Sequence, residues 1–139
     1  MGLQIDIKPG RVILHQTSYI RKLLKKFRMS TAKFSETPTS LEYSSKTEGP
    51  SLRTDVPYRQ AIGSLLYAAV ATRVDIMNAV SLLSTKLSNP TEADWIGGKR
   101  VRRYLVGKEH YGIEYRESEQ RYIKQFLLVM FAMLPRRGV

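Results

Sequence analysis

Residues 56–76 read VPYRQAIGSLLYAAVATRVDI, and the fold turns on how that stretch is parsed. Proline is tolerated in the first turn of a helix, where an amide would lack an intrahelical acceptor anyway, so Pro57 marks a start. Asp55 stands where a carboxylate can cap the free amides. From there Tyr58, Ile62, Leu65, Leu66, Ala69 and Val70 recur at helical spacing and predict one apolar stripe. Gly63-Ser64 is expected to let a neighbouring element come close. Thr72-Arg73 closes this helix. A second is expected to open at Asp75, with Ile76, Ala79, Val80, Leu83 and Leu87 on its apolar side and Asn89-Pro90 at its end.

Toward the C-terminus, Thr91-Glu92-Ala93-Asp94 reads as a capping box, and a third helix runs from it to about Val106. On a helical wheel Gly97, Gly98, Val101, Tyr104 and Leu105 share one arc, while Lys99, Arg100, Arg102 and Arg103 fill most of the other. The Gly97-Gly98 pair weakens the helix by about 2 kcal/mol against alanines, which close packing must offset. Gly107 is expected to end it as a left-handed cap. Residues 111–116, YGIEYR, alternate and predict a strand.

Toward the N-terminus, residues 30–55 change to Ser, Thr, Pro, Glu and Lys. A loop of that length either joins two subdomains or wraps a surface. Before it, Thr17 or Ser18 is expected to cap a helix reaching about Met29. One face carries Tyr19, Ile20, Leu23, Leu24 and Phe27; the other carries Arg21, Lys22, Lys25, Lys26 and Arg28 with no acid between them. Like charges at i,i+4 repel by a few tenths of a kcal/mol each, so an all-basic face points to a polyanion. At the start, Leu3, Ile5 and Ile7 alternate with polar residues. With the Pro9-Gly10 turn and the apolar run from Val12 to Leu14 they predict a β-hairpin. Two strands alone are marginal in water, so the hairpin needs partners. The fold class is therefore α+β: helix-rich, with an N-terminal hairpin, about four helices and a C-terminal strand.

A formal charge of +11 on 139 residues makes a polyanion the first partner to consider and an anionic membrane surface the second. The absence of cysteine excludes disulfides and thiolate metal sites. His15 and His110 stand far apart with no second histidine near either, which predicts no metal centre. Residues 1–10 lack an apolar signal core, so an intracellular location is expected. The longest apolar run, FLLVMFAML at 126–134, is too short to span a bilayer as a helix.

No catalytic constellation emerges. Asp75 and Asp94 read as helix caps, Ser64 lacks a G-x-S-x-G elbow and a histidine base, and neither a Walker loop nor a G-x-G-x-x-G is present. No cofactor is expected.

The order of the hairpin, the YIRKLLKKF helix, PYR-x-x-IGSLLY, SNPTEADW and KR-x-x-RYL resembles the Pol polyproteins of copia-type retrotransposons over residues 2–115. The resemblance implies the C-terminal part of a reverse transcriptase, just before its ribonuclease H. It divides the chain into residues 1–29 (a primer-grip-like hairpin and a basic thumb-like helix), a linker at 30–55, a thumb- or connection-like segment at 56–115, and an unrelated apolar and basic tail at 116–139. Met1 and Gly2 with the hairpin then resemble the element that grips the primer. Arg21, Lys22, Lys25, Lys26, Arg28, Lys99, Arg100, Arg102 and Arg103 are the expected contacts to template–primer phosphates. The Tyr-x-Asp-Asp turn of that family is absent, so the chain is expected to be inactive alone, and the palm and ribonuclease H portions of Pol are its implied partners. Val74, Asp94 and Lys108 depart from the family pattern and suggest a decayed copy. The alternative is an interaction protein, recruited or effector-like, whose polymerase ancestry is incidental, although the chain has neither a signal peptide nor an Arg-x-Leu-Arg motif.

Overall fold

Pro9 fixes one backbone angle, and Gly10 takes the left-handed value φ 73° that the two-residue turn requires. The turn joins β1 (Gln4–Lys8) to β2 (Arg11–His15), with Ile5 opposite Leu14 and Ile7 opposite Val12. The protein is described by a computed structural model covering residues 2–44 and 47–116. In it the hairpin's partner comes from the far end of the described chain. β3 (Gly112–Arg116) pairs antiparallel with β2, placing Ile113 opposite Leu14 and Tyr115 opposite Val12. The sheet order is β1-β2-β3. Val12 and Leu14 are buried at its centre, whereas Ile7, on the edge strand, stays exposed.

α1 (Thr17–Lys26) turns Ile20, Leu23 and Leu24 inward. Neither Thr17 nor Ser18 caps it, contrary to expectation. The cap residue is Gln16, the Thr17 hydroxyl is engaged by His15 Nδ1 at 2.7 Å, and the Ser18 amide donates to Gln4 Oε1 at 2.9 Å. The helix stops short of Met29 through a Schellman arrangement. The Arg28 amide donates to the Lys25 carbonyl and the Met29 amide to that of Leu24, at 3.1 and 2.8 Å. This puts Arg28 at φ 55°, a conformation glycine adopts without cost. Arg28→Gly is accordingly expected to stabilise the fold by about 1 kcal/mol in urea denaturation; an unchanged or lowered midpoint would contradict this.

α2 (Tyr58–Ala71) starts after Pro57 with no side-chain cap, because Asp55 pairs with Arg53 at 2.8 Å instead. Its buried side is Tyr58, Ala61, Ile62, Leu65, Ala68 and Ala69. The stripe is rotated from the expected one, and Leu66 and Val70 face outward. The small Ala61 and Ala68 sit where α2 meets its neighbours. Gly63, expected at a close approach, has nothing among the described residues within 4 Å of where its side chain would be. A 3-10 turn (Val74–Ile76) leads into α3 (Met77–Ser84). That helix ends well before Asn89-Pro90. The Ser84 and Thr85 hydroxyls donate back to the Val80 and Leu82 carbonyls at 2.8 and 2.6 Å, competing with the backbone ladder.

α4 (Glu92–Val106) has the expected capping box: the Thr91 hydroxyl accepts from the Asp94 amide, and Asp94 accepts from the Thr91 amide at 2.8 Å. Gly107 is not left-handed (φ −88°); the Phe34 ring lies against it where a side chain would go. The loop before α2 wraps α4. The Ser35 amide donates to the Arg103 carbonyl at 3.3 Å, and the Leu52 and Glu92 amides donate to the Pro90 and Pro50 carbonyls at 2.9 Å. Ile20 and Leu24 of α1, Ile62 and Leu65 of α2, Val80 and Leu83 of α3, and Val101 and Leu105 of α4 share one apolar cluster.

The sheet is tied to the helices by buried polar groups. Gln16 accepts from the Thr72 hydroxyl at 2.5 Å. Arg73, fully buried, donates to the Lys108 carbonyl at 2.6 Å and forks onto Asp75 at 3.0 and 2.8 Å. Tyr104 donates to the same carboxylate at 2.7 Å. Asp75 is thus not the expected helix cap. It is the counter-ion of Arg73, a residue the sequence pattern marked only as the end of a helix. Among the described residues no helix is long and apolar enough to cross a membrane.

Candidate nucleic-acid interface

The amphipathic spacing of α1 leaves Arg21, Lys22, Lys25 and Lys26 exposed, with Arg28 just beyond its end also in solvent. The face is not free of acids as the local sequence implies. Glu109, from the turn before β3, pairs with Arg21 at 2.9 Å. Lys22, Lys25, Lys26 and Arg28 form no ion pair among the described residues. Met1 lies outside the described residues. Gly2 is half-buried, its α-carbon packed against the Tyr19 ring.

The basic arc expected on α4 is broken up. Lys99 alone is exposed, its ammonium 5.8 Å from the centre of the Trp95 ring. Arg100 and Arg103 are half-buried beneath the wrapping loop, Arg100 donating to the Thr37 hydroxyl at 2.8 Å. Arg102 is 1% exposed and so is corrected from phosphate contact to core residue. On the wheel it borders the buried arc next to Gly98 and Leu105, and Phe27 and Met29, just past the end of α1, lie against it. Its guanidinium lies between Phe27 and Trp95, 5.0 and 4.7 Å from the ring centres, with Nε on the Met29 sulfur at 3.1 Å. No carboxylate approaches it within ion-pair distance among the described residues, and burial pushes its pKa down to about 10. This stack is the link between the two helices' basic residues. Lys26 lies over Phe27 at 6.0 Å and Lys99 over Trp95, with Arg102 between the rings. Only the alternation of aromatic and basic types hinted at it.

The four aspartates are all engaged separately. Asp6 meets His15 Nε2 at 2.9 Å across the hairpin, a pairing that sequence distance concealed. Asp55 holds Arg53, Asp75 holds Arg73, and Asp94 serves the capping box while accepting from the Tyr43 hydroxyl at 2.7 Å. Burial first, and then the bond to Asp94, raises the Tyr43 pKa above its ordinary value. Among the described residues no three acidic or histidine side chains converge on a point where one metal ion could be held.

With this geometry in view, the chain is related over most of its length to the Pol polyproteins of copia-type retrotransposons, at 29–41% identity. It is 41% identical over 101 residues to the retrovirus-related Pol polyprotein from transposon TNT 1-94 of Nicotiana tabacum, covering 68% of this chain and 8% of that polyprotein. An uncharacterized mitochondrial protein of Arabidopsis thaliana is 29% identical over 126 residues, 91% of this chain and 52% of its own. The secreted RxLR effector protein 161 of Plasmopara viticola is 43% identical over 61 residues, 44% of this chain and 43% of the effector. The chain therefore spans a small part of the Pol polyprotein and about half of the shorter relatives. No family model matches it, and no solved structure matches it significantly.

Proposed function

We propose that the chain corresponds to the C-terminal portion of a reverse transcriptase: primer-grip hairpin and thumb-like helix in residues 1–29, linker in 30–55, thumb or connection in 56–115. It is non-catalytic by itself and retains sequence-blind binding of a template–primer duplex. The carrying observation is the exposed set Lys22, Lys25, Lys26 and Arg28, without an ion pair among the described residues and joined to Lys99 through the Phe27–Arg102–Trp95 stack. Such contacts go to phosphates and position a duplex without reading bases. The non-catalytic half is supported by the dispersal of the four aspartates onto separate structural partners. The proposed partners are the palm and ribonuclease H portions of Pol. The surface we assign to them is the outer side of α2, where Leu66, Tyr67 and Val70, followed by Val74, stand exposed beside open space at Gly63.

Anisotropy titration of a DNA–RNA hybrid tests the binding. For about four phosphate contacts, log affinity should fall against log salt with a slope of about −3 to −4, and Lys22→Ala with Lys25→Ala should reduce that slope by about 2. Absence of binding at low salt, or binding indifferent to salt, overturns the duplex reading. Primer extension by the chain alone overturns the non-catalytic one. The relative among secreted effectors favours a second reading, a transposon-derived interaction protein. It predicts a protein partner whose affinity the same double substitution leaves unchanged.

A further inference from the structure

Between α4 and loop residues 39–43 and Thr47 lies a pocket of about 230 Å³. Arg100 and Arg103 line one side, and the Nε atoms of both guanidinium groups are buried without a hydrogen-bond partner among the described residues. Neither arginine meets a carboxylate within ion-pair distance among the described residues, and Glu42 stands exposed at the rim. Those two Nε atoms are closed off from the pocket, so an anion there meets the terminal guanidinium nitrogens, of which Arg100 Nη2 already donates to the Thr37 hydroxyl at 2.8 Å. Thr39, Ser40 and Thr47 line the same pocket, the Thr39 hydroxyl donating to the Ser40 carbonyl at 3.5 Å and the Thr47 hydroxyl accepting from the Ser44 amide at 2.9 Å. Two guanidinium groups and three hydroxyls suit an oxyanion with several oxygens better than a planar carboxylate, which a single arginine fork satisfies.

The rest of the wall is apolar. The Tyr43 ring is held by its bond to Asp94 and packs beside Gly97 of α4. Ile96 is 61% exposed beside it, an apolar side chain that a bound ring would cover. Ligand pockets for drug-sized molecules begin near about 300 Å³. This one is smaller and fits one ring with a phosphate, not a dinucleotide.

We infer that this pocket binds the phosphate and ring of a single nucleotide, the phosphate on Arg100 and Arg103 and the ring against Tyr43 and Ile96. The site is separate from the basic face of α1 and stands or falls independently of duplex binding there. A free mononucleotide and the 5′-phosphorylated end of a strand present the same chemistry.

Trp95, the only tryptophan, lies on α4 and reports binding by fluorescence in the full chain. AMP is expected to give a saturable change, with adenosine and inorganic phosphate each weaker by at least about tenfold, the loss of one set of charge-assisted bonds or of one stacked ring. Arg100→Gln with Arg103→Gln should lose AMP binding by at least that factor. Arg103→Gln alone, should the pair fail to fold, should weaken AMP but leave adenosine unchanged. Lys22→Ala with Lys25→Ala should leave AMP binding intact. A 5′-phosphorylated oligonucleotide binding like AMP, when its unphosphorylated form does not, assigns the site to strand ends; AMP alone assigns it to free nucleotides. Adenosine or phosphate binding as tightly as AMP, or full AMP affinity in the arginine variants, overturns the inference.

Discussion

Replacing Asp75 by asparagine is expected to cost about 2–4 kcal/mol of folding stability. The substitution keeps the shape but removes the charge facing Arg73, whose side chain is 1% exposed, while Asp75 is 32% exposed. Removing one partner of a fully buried pair costs about 3–5 kcal/mol, and the partial exposure of Asp75 lowers that figure. Burial acting alone would raise the Asp75 pKa, but the hydrogen bonds from Arg73 and Tyr104, with the Arg73 charge, outweigh it and hold the carboxyl below its usual value. The sign follows from linkage. A carboxyl whose pKa is lower folded than unfolded contributes fully above its unfolded pKa of about 3.9, and the contribution disappears as pH falls through the folded value. The variant should therefore lose most at neutral pH and little at the acid end. Urea unfolding from pH 7 to pH 2 measures this. A neutral-pH loss below about 0.5 kcal/mol, within the range of an exposed ion pair, would show that the Arg73–Asp75 fork ties nothing together.

Arg102→Leu is expected to have the opposite sign. A guanidinium that burial pushes down to a pKa of about 10 is charged at neutral pH in a place that disfavours the charge. At 1.36 kcal/mol per pKa unit the penalty is on the order of 3 kcal/mol. The contacts with Phe27 and Trp95 return about 1–2 kcal/mol, and leucine restores apolar contact between the same rings. The NH1 atom, buried without a partner, adds to the cost of the arginine. A net gain of about 1–3 kcal/mol is expected at pH 7. Because the charged form is the penalised one, the penalty holds below the folded pKa and is relieved only as pH rises through about 10. A destabilised leucine variant would mean that the cation holds Phe27 and Trp95 together by more than it costs.

Local patterns on the chain were legible where a feature satisfies itself over a few residues. The Pro9-Gly10 turn, the Thr91–Asp94 capping box and the alternation in residues 112–116 all complete their bonding or periodicity nearby, and each stands where its residues place it. Features decided by a competing partner, whether two residues away or far along the chain, were not legible. Asp55, Asp75, Thr17 and Ser18 have the right chemistry for caps, but Arg53, Arg73, His15 and Gln4 reach them first. Leu66 and Val70 fit the apolar spacing as well as Ala61 and Ala68 do, and only the directions from which α3 and α4 approach select the smaller pair. The candidate interface divides in the same way. The basic face of α1 is visible from helical periodicity, whereas Glu109 beside Arg21 and the burial of Arg102 depend on segments about 70 to 90 residues away in sequence.

The pairing of β3 with β2 has a consequence for how the molecule comes into being. Arg11 and Glu114, which face each other across that seam at 3.2 Å, are separated by 103 positions in the chain. A ribosome would deliver the first two strands long before the third, and closing so wide a loop costs entropy that no local contact repays in advance. Of the described elements the hairpin is made first, and β2 gains its second neighbour only when β3 emerges.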